Sequence, residues 1–598
     1  MQDVRPDTWS AVDGLGRILP ENGQVGGPRE RFVGMFFWTW HNRYDSPHDA
    51  VNMAWETPNR GARTLNMQDV MDRHPEAKND YDHPAWQGMG SGNGLGSGHW
   101  NEPVYGYYYS DDPWVLRRQA ELLANAGVDA VIFDNTNGVD TWEKGYMALG
   151  RAFEKAKKDG VRVPGMAFLL PLHYPYDPAN AEKNRRQLRE LYEKVYRIGL
   201  FRDIWFYWKG RPLVMGYPDA LDPNDPVEKE ILDFFTFRPC QPSYYLGQTR
   251  KDMWGWLAVY PQSVYANADG TPEEITVGVA QNTNARCAQE RQVSVMNGYD
   301  IFGRSYTSRG FDPSPDASLR GANFQEQWDR ALAVDPEFVF VTGWNEWIAG
   351  HRRVRCGVAN GFSDEFDDEH SRDCEPSLGR LKDHYYCQLC ANIRRFKGVR
   401  SAPSPAGPTS LGLDSAPEEW ERLGTAYEDY QKDLSPRRAQ GYEYYESDTG
   451  RNGICLCRVS HDGENVYFEA VCQGPLSDPG GEAWMRLLIR TGQAGPTWEG
   501  FSYIVNRVSP GEKALLEKSL GGWSWRAAGA CEYRLAGNRL VIAVPRHLIG
   551  ADMPMFRLWF KWCDNCPLDG DVMSLYTRGD ASPGGRFTFS YTGTDGEE

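Results

Sequence analysis

The chain has 598 residues, enough for two or more domains with a large core. It is 40% hydrophobic and 25% charged, and its net charge of −17 argues against a nucleic-acid backbone as partner, which needs a basic patch. No apolar run reaches the ~18 residues of a membrane span. The N-terminus lacks a basic-then-apolar leader, so a protein without a membrane span is expected, cytoplasmic or secreted with its signal removed.

From residue 31 to about 350, strand-like and helix-like segments alternate. Arg31-Phe-Val-Gly-Met-Phe-Phe-Trp-Thr-Trp40 reads as the first strand. Asp112 to Ala126 is amphipathic, with Pro113 near its start and Gly127 just past its end, the punctuation of a helix. A buried strand follows over Val128 to Asp134, a helix over Trp142 to Asp159 and a strand over Val163 to Leu170. Ala179 to Gly199 reads as helix, and Asp203 to Trp208 with Pro212 to Gly216 as strands around a Lys209-Gly210 turn. Phe234 to Arg238, Trp254 to Tyr260 and Ile275 to Ala280 are strand candidates, and Phe324 to Val334 is helical. Phe338 to Val341 is then dense enough in apolar side chains for a strand buried on both faces. Such alternation implies α/β architecture with a parallel sheet, and about eight strands predict a closed (β/α)₈ TIM barrel over residues 1–400.

Ser401-Ala-Pro-Ser-Pro-Ala-Gly-Pro-Thr-Ser410 reads as part of a linker over residues 401–412. Beyond it, short strands with turn signals between them predict an all-β sandwich over residues 413–598. The Gly-rich run from Gly88 to Gly98 lacks the Lys-Ser/Thr ending of a phosphate loop and reads as a loop over the barrel mouth.

In a barrel, functional side chains project from the C-terminal ends of different strands. Those ends carry Trp38, Trp40 and His41, then Asp134 and Asn135, His173, Arg238, Gln262, Gln281 with Asn282, and finally Trp344, Asn345, Glu346 and Trp347. The loop before the first long helix adds His99, Trp100, Asn101 and Glu102. Carboxylates, amides and indoles with few cations, and no nucleophile elbow, zinc motif or dinucleotide fingerprint, fit glycoside hydrolysis. That chemistry needs one carboxyl group as acid and one carboxylate as base or nucleophile. Glu346 is the first candidate, with indoles beside it to favour its protonated form; Asp134 and Glu102 compete for the second role. The remaining strand-end residues are candidate substrate contacts, with Trp38, Trp40, Trp344 and Trp347 as a sugar platform. Structural roles stand beside these: Glu346 also fits an ion pair with an arginine inside the barrel, and Asp134 a turn cap. The acidic run Ser363 to Glu369 reads as a solvated loop. No metal or cofactor is expected. The Cys387/Cys390 and Cys563/Cys566 pairs lie too far apart for one zinc site, and free core thiols or a local disulfide are expected.

Trp344-Asn-Glu-Trp347 after a strand resembles the signature of the family-99 and WbsX-like glycoside hydrolases. Lys209-Gly-Arg-Pro-Leu213 and Cys374-Glu-Pro376 are similar to two further motifs of that family. The resemblance implies a (β/α)₈ barrel, endo-acting on α-mannosides, with Glu346 as one catalytic carboxylate. The family pattern places a second carboxylate three residues on, where this chain has Ala349, so the partner must come from elsewhere. Asp462 to Glu469 and Trp484 to Ile489 resemble a family-9-type carbohydrate-binding sandwich. The expectation is a glycosidase with a carbohydrate substrate. Its rivals are a non-catalytic glycan-binding barrel, motivated by Ala349, and a lyase or metal-assisted enzyme on acidic sugars, motivated by Arg238, Arg304 and the acidic loop.

Overall fold

The structure, a computed structural model, describes residues 3–41, 65–86, 90–92, 95–173, 178–281, 283, 301–355, 358–362 and 365–596. Among them are β1 (Phe32–Phe37), α1 (Pro113–Ala126), β2 (Ala130–Asp134), α2 (Glu143–Lys158), β3 (Gly165–Leu169) and α3 (Pro178–Leu191). They continue with β4 (Arg211–Met215), α4 (Pro226–Phe234), β5 (Thr236–Phe237), β6 (Pro272–Gly278), α5 (Ala322–Val334) and β7 (Phe338–Thr342). Helix α1 shows how local chemistry sets the boundaries. The Asp112 carboxylate accepts from the Trp114 and Val115 amides, Pro113 opens the first turn, and Gly127 closes the helix at φ 86°.

The parallel strands are bonded in the order β5-β4-β3-β2-β1-β7-β6, so the last strand in sequence returns beside the first. That is the cyclic order of a barrel, but the circle is not closed. The free edge of β6 is taken by an antiparallel strand, Val264–Ala266. The stretch from Trp254 expected as a strand makes one bridge, between Trp254 and Cys240. Next to it, the Gly255 amide bonds to the Glu274 side chain rather than to a neighbouring backbone. A curled, open sheet therefore replaces the expected closed barrel.

Side chains alternate across this sheet as the pleat requires. Val33, Met35, Phe37, Val131, Phe133, Val339 and Val341 join the core under the helices, while Phe36, Ile132, Leu169, Met215, Phe338 and Phe340 fill the concave side. Gly34 has no side chain because a Cβ there would lie 2.5 Å from the Phe338 ring. By the same alternation Asp134 and Thr342, the last residues of β2 and β7, share a face with the concave-side residues.

Residues 425–594 form a β-rich region of antiparallel strands. Its long strand Ser524–Ala536 pairs first with Ala514–Gly521 and then with Arg539–Pro545, passing from one set of strands to another. The start of the chain packs here. Ser10 bridges Thr588, and the Trp9 ring meets Tyr430, Phe587 and Phe589 edge-on. Buried pairs join the two regions: Arg586 with Asp383 at 2.5 Å and Arg437 with Asp112 at 2.7 Å. All ten described cysteines are free thiols, Cys387 and Cys390 on one helix; Cys287 and Cys356 lie outside the described residues.

Candidate active site at the strand ends

After β7 the chain runs beside a second segment. Gly343 N–H donates to Arg372 O, Cys374 N–H to Gly343 O, and Glu375 N–H to Trp344 O. The approach is close, since a Cβ on Gly343 would lie 2.7 Å from the Trp38 ring. This pairing gathers Arg372, Asp373 and Glu375 around Glu346.

Arg372 Nη2 lies 2.7 Å from Glu346 Oε2 and 3.5 Å from Glu365 Oε1. The Glu346 amide donates to Asp373 Oδ1 at 2.7 Å. Glu365 Oε1 accepts the Arg372 backbone N–H at 2.9 Å, and Glu365 Oε2 and Asp373 Oδ2 are both buried without a hydrogen-bond partner. Burial first, and then the Asp373 charge, pushes Glu365 well above the carboxylate range; burial raises Asp373 as well. The indoles beside Glu346 were expected to favour its neutral form. Its carboxyl is instead paired with the Arg372 guanidinium, at 2.7 Å.

Glu375 is the hub of a second network. It accepts from Tyr108 Oη and Gln119 Nε2 at 2.7 Å, and from Trp347 Nε1. Burial pushes it up to about 7 against these three donors. Asn345 does not face a ligand. Its side chain accepts from Trp38 N–H at 2.9 Å and donates to Trp38 O at 3.2 Å, stapling the last strand to the first.

Other expected site residues divide into two groups. Trp344 is fully buried against Tyr386, and Trp347 stacks on Trp100 at 4.5 Å with both rings enclosed. Trp100 Nε1 donates to Glu346 O. These indoles pack rather than offer an open sugar platform. Gln262 bonds Thr276 O and Gln327 O inside the core. Arg238 is held by Glu273 at 2.6 Å, with Trp208 and Trp254 donating to the same carboxylate. Arg304 donates to Ser371 and Asp373 O and lies 4.0 Å from the Tyr385 ring. Arg238 is thus occupied by the protein itself, whereas Arg304 Nε and Nη1 are buried without a hydrogen-bond partner.

The second group stays at the strand ends. Asp134 caps its turn, accepting from Thr136 N and Oγ1 at 2.9 and 2.8 Å. Trp38 and Trp40 are buried with indole N–H groups that meet no acceptor; Asn135 and Gln281 are buried with both amide atoms unpartnered. His41 is buried and pushed down to about 3 by burial, so its ring is neutral, with Nε2 unpartnered. His173 sits edge-on to Tyr217 at 5.0 Å, its Nδ1 unpartnered. His99 lies 4.4 Å from the Tyr107 ring and 4.9 Å from Tyr442, a residue of the β-rich half. Glu102 is half-buried, raised by burial and by the nearby Glu443 charge. Asn282 lies outside the described residues.

The acidic run is a correction of another kind. Glu365 and Asp368 are buried, and Asp367 Oδ1 lies 2.7 Å from His370 Nδ1. Sequence reasoning took Glu365 and Asp368 as part of a solvated run and passed over Arg372 and Asp373; the density of charge from Glu365 to Glu375, just after the Glu346 strand, was the available signal. Ala349 is fully buried in the apolar core, paired with Gly98, so it leaves no place there for a carboxylate facing a substrate.

One group could be read as a metal site. Ligand atoms of His74, Glu76 and His83 lie within 4.8 Å of one another. His83 Nδ1, however, accepts the Ala85 N–H at 3.2 Å, which puts the proton of the neutral ring on Nε2, the atom that faces Glu76. A metal ligand needs the opposite tautomer. The geometry is that of a hydrogen-bonded pair.

No protein-family model matches the chain, and no curated protein matches it. Among solved structures, the chain is similar to the GH99 endo-alpha-mannosidase from Bacteroides thetaiotaomicron. In complex with BIS-TRIS-propane that enzyme gives a TM-score of 0.34 at 10% identity, over 61% of this chain and 97% of that one. A second structure of it gives 0.32 at 12% identity, over 63% and 100%.

Proposed function

We propose that the protein is a glycoside hydrolase acting on a glycan by carboxylate chemistry. One observation carries the reading: buried indole, imidazole and amide groups without partners collect at the ends of the parallel strands, near a carboxyl group paired with a buried guanidinium. Buried polar atoms are normally satisfied, and a cluster of exceptions marks a place built for a polar ligand. Sugar hydroxyls and ring faces match those groups.

In this reading Glu346 is the base or nucleophile, and Arg372 pairs with its carboxyl group. Glu102, raised by burial and by Glu443, has the character of the acid. Asp134 clamps substrate at the end of β2. The β-rich half, read as a carbohydrate-binding sandwich, contributes Tyr442 beside His99. An endo-acting α-mannosidase is the narrower expectation that the Trp344-Asn-Glu-Trp347 motif supports. The Glu346–Arg372 pair also favours a second reading, a glycan-binding barrel without catalysis, since a carboxylate so paired serves structure as well.

A glycan panel with detection of new reducing ends separates the two. Hydrolysis by the native chain and its loss in Glu346→Gln, with folding intact, is the expected result. Full activity in that variant overturns the role of Glu346, and binding without hydrolysis favours the second reading.

A further inference from the structure

Two acids, Glu102 and Asp368, are joined by one amide. Asn101 Oδ1 accepts the Glu102 N–H at 2.7 Å, and Asn101 Nδ2 donates to Asp368 Oδ1 at 2.7 Å. Asp368 is 4% exposed, and its other oxygen, Oδ2, is buried with no hydrogen-bond partner. Asp368 and Glu102 line one cavity of about 840 Å³, beside the helix Met67–Arg73.

The chemistry of the walls narrows the ligand. The cations at this cavity are already used: Arg73 pairs with Asp69, and Arg380 pairs with Asp316. Asp72 accepts from Gln68. Glu102 has no cation partner among the described residues, and the charge beside it is Glu443. An anionic ligand would meet two acids with no free cation. An apolar one would leave the Asp368 oxygen buried and unsatisfied, at a cost of about 1–3 kcal/mol. A ligand with several hydroxyl donors and no charge satisfies Asp368 and Glu102 together.

We propose that this cavity is a saccharide subsite, in which Asp368 Oδ2 and the Glu102 carboxylate accept hydroxyl groups of an uncharged sugar. The inference rests on the carbohydrate reading above and adds to it a residue, Asp368, that positions the sugar against Glu102. Burial, opposed by the Asn101 hydrogen bond, pushes Asp368 up to about 6, so it is mostly ionised at neutral pH and a strong acceptor.

The test is calorimetric binding to the full chain carrying Glu346→Gln, with neutral trisaccharides of glucose, galactose and mannose, a uronate trisaccharide and calcium chloride. At least one neutral trisaccharide is expected to bind. Adding Asp368→Asn, which keeps the shape but turns an acceptor into a donor, should weaken that binding about tenfold or more, with the melting temperature unchanged. Asp368→Ser provides the same comparison should the Asn variant fold poorly. Unchanged affinity in both variants, binding of calcium or uronate alone, or no neutral trisaccharide bound, overturns the subsite. Hydrolysis by the native chain is scored separately. Binding that depends on Asp368 without hydrolysis sinks the hydrolase and leaves the subsite; hydrolysis with binding indifferent to Asp368 does the reverse.

Discussion

Arg372 and Glu346 form a buried ion pair across 26 residues of sequence, with side chains 1% and 9% exposed and 2.7 Å between them. The same guanidinium also faces Glu365. Replacing it should remove the buried cation that faces both acids. Arg372→Met is expected to destabilise the fold by ~3–5 kcal/mol in denaturant unfolding, and Glu346→Gln on top of it should recover part of that loss. Equal stability of Arg372→Met and the native chain would show that the pair does not anchor this corner.

Burial and the Asp373 charge push Glu365 well above the carboxylate range, so a proton shared by these two buried acids is the expectation to test. Glu365→Gln supplies an amide N–H in its place and should change stability by only about 1 kcal/mol, whereas Glu365→Ala leaves Asp373 buried and short of a partner, costing ~1–3 kcal/mol. Infrared difference spectra at neutral pH should show a protonated carboxyl stretch that weakens in Glu365→Gln. Its persistence at full strength would remove the shared proton.

Glu375 gives a signed pH dependence. Its folded value, about 7, lies above the ordinary 4.5, so the folded chain binds more protons between those values and stability falls as pH rises through that window. The full effect is on the order of 3 kcal/mol. Glu375→Gln does not titrate, and Gln119 can turn its amide to meet it. The variant's unfolding free energy, measured from pH 4 to pH 8, should therefore fall less steeply than that of the native chain. Parallel curves would contradict this.

Asn345 ties β7 to the end of β1 through both backbone groups of Trp38. Asn345→Ala should cost about 2 kcal/mol. Asn345→Asp should cost more, because it turns a carboxylate oxygen toward Trp38 O. Melting temperatures of the three proteins order them, and an Asp variant as stable as the native chain would refute the staple.

Trp9 packs on three aromatic rings of the β-rich region although it lies almost 580 residues from Thr588, the strand its neighbour Ser10 bridges. Trp9→Ala should cost ~3–5 kcal/mol. Hydrogen exchange should quicken first in the strand Phe589–Thr594 rather than in β1 to β7. Uniform protection across both regions would argue against this seat for the N-terminal segment.

Much of the first half was legible because its signals are local. Apolar runs placed β1, β2, β3 and β7 to within a few residues, and Asp112, Pro113 and Gly127 punctuated α1 as expected. The strand ends were correctly read as the place where Trp38, Asp134 and Glu346 stand. Less was legible in which of those residues face a ligand. Trp347 and Asn345 look like site residues in sequence, yet their polar groups bond to Glu375 and Trp38, and Trp344 packs its ring against Tyr386 with its indole N–H unpartnered.

Sequence by itself determined the periodicities: alternating strands and helices, then short strands, and a carboxylate among indoles at the end of a buried strand. These follow from the pleat and the helical turn, which act over a few neighbouring residues. Tertiary structure alone decided that the sheet stays open, because an antiparallel strand takes the edge of β6. It alone decided that Arg372 pairs with Glu346 and that Asp368 and Glu102 line one cavity. Those outcomes depend on charges and edges brought together from distant parts of the chain, and on burial that makes each unpartnered group costly.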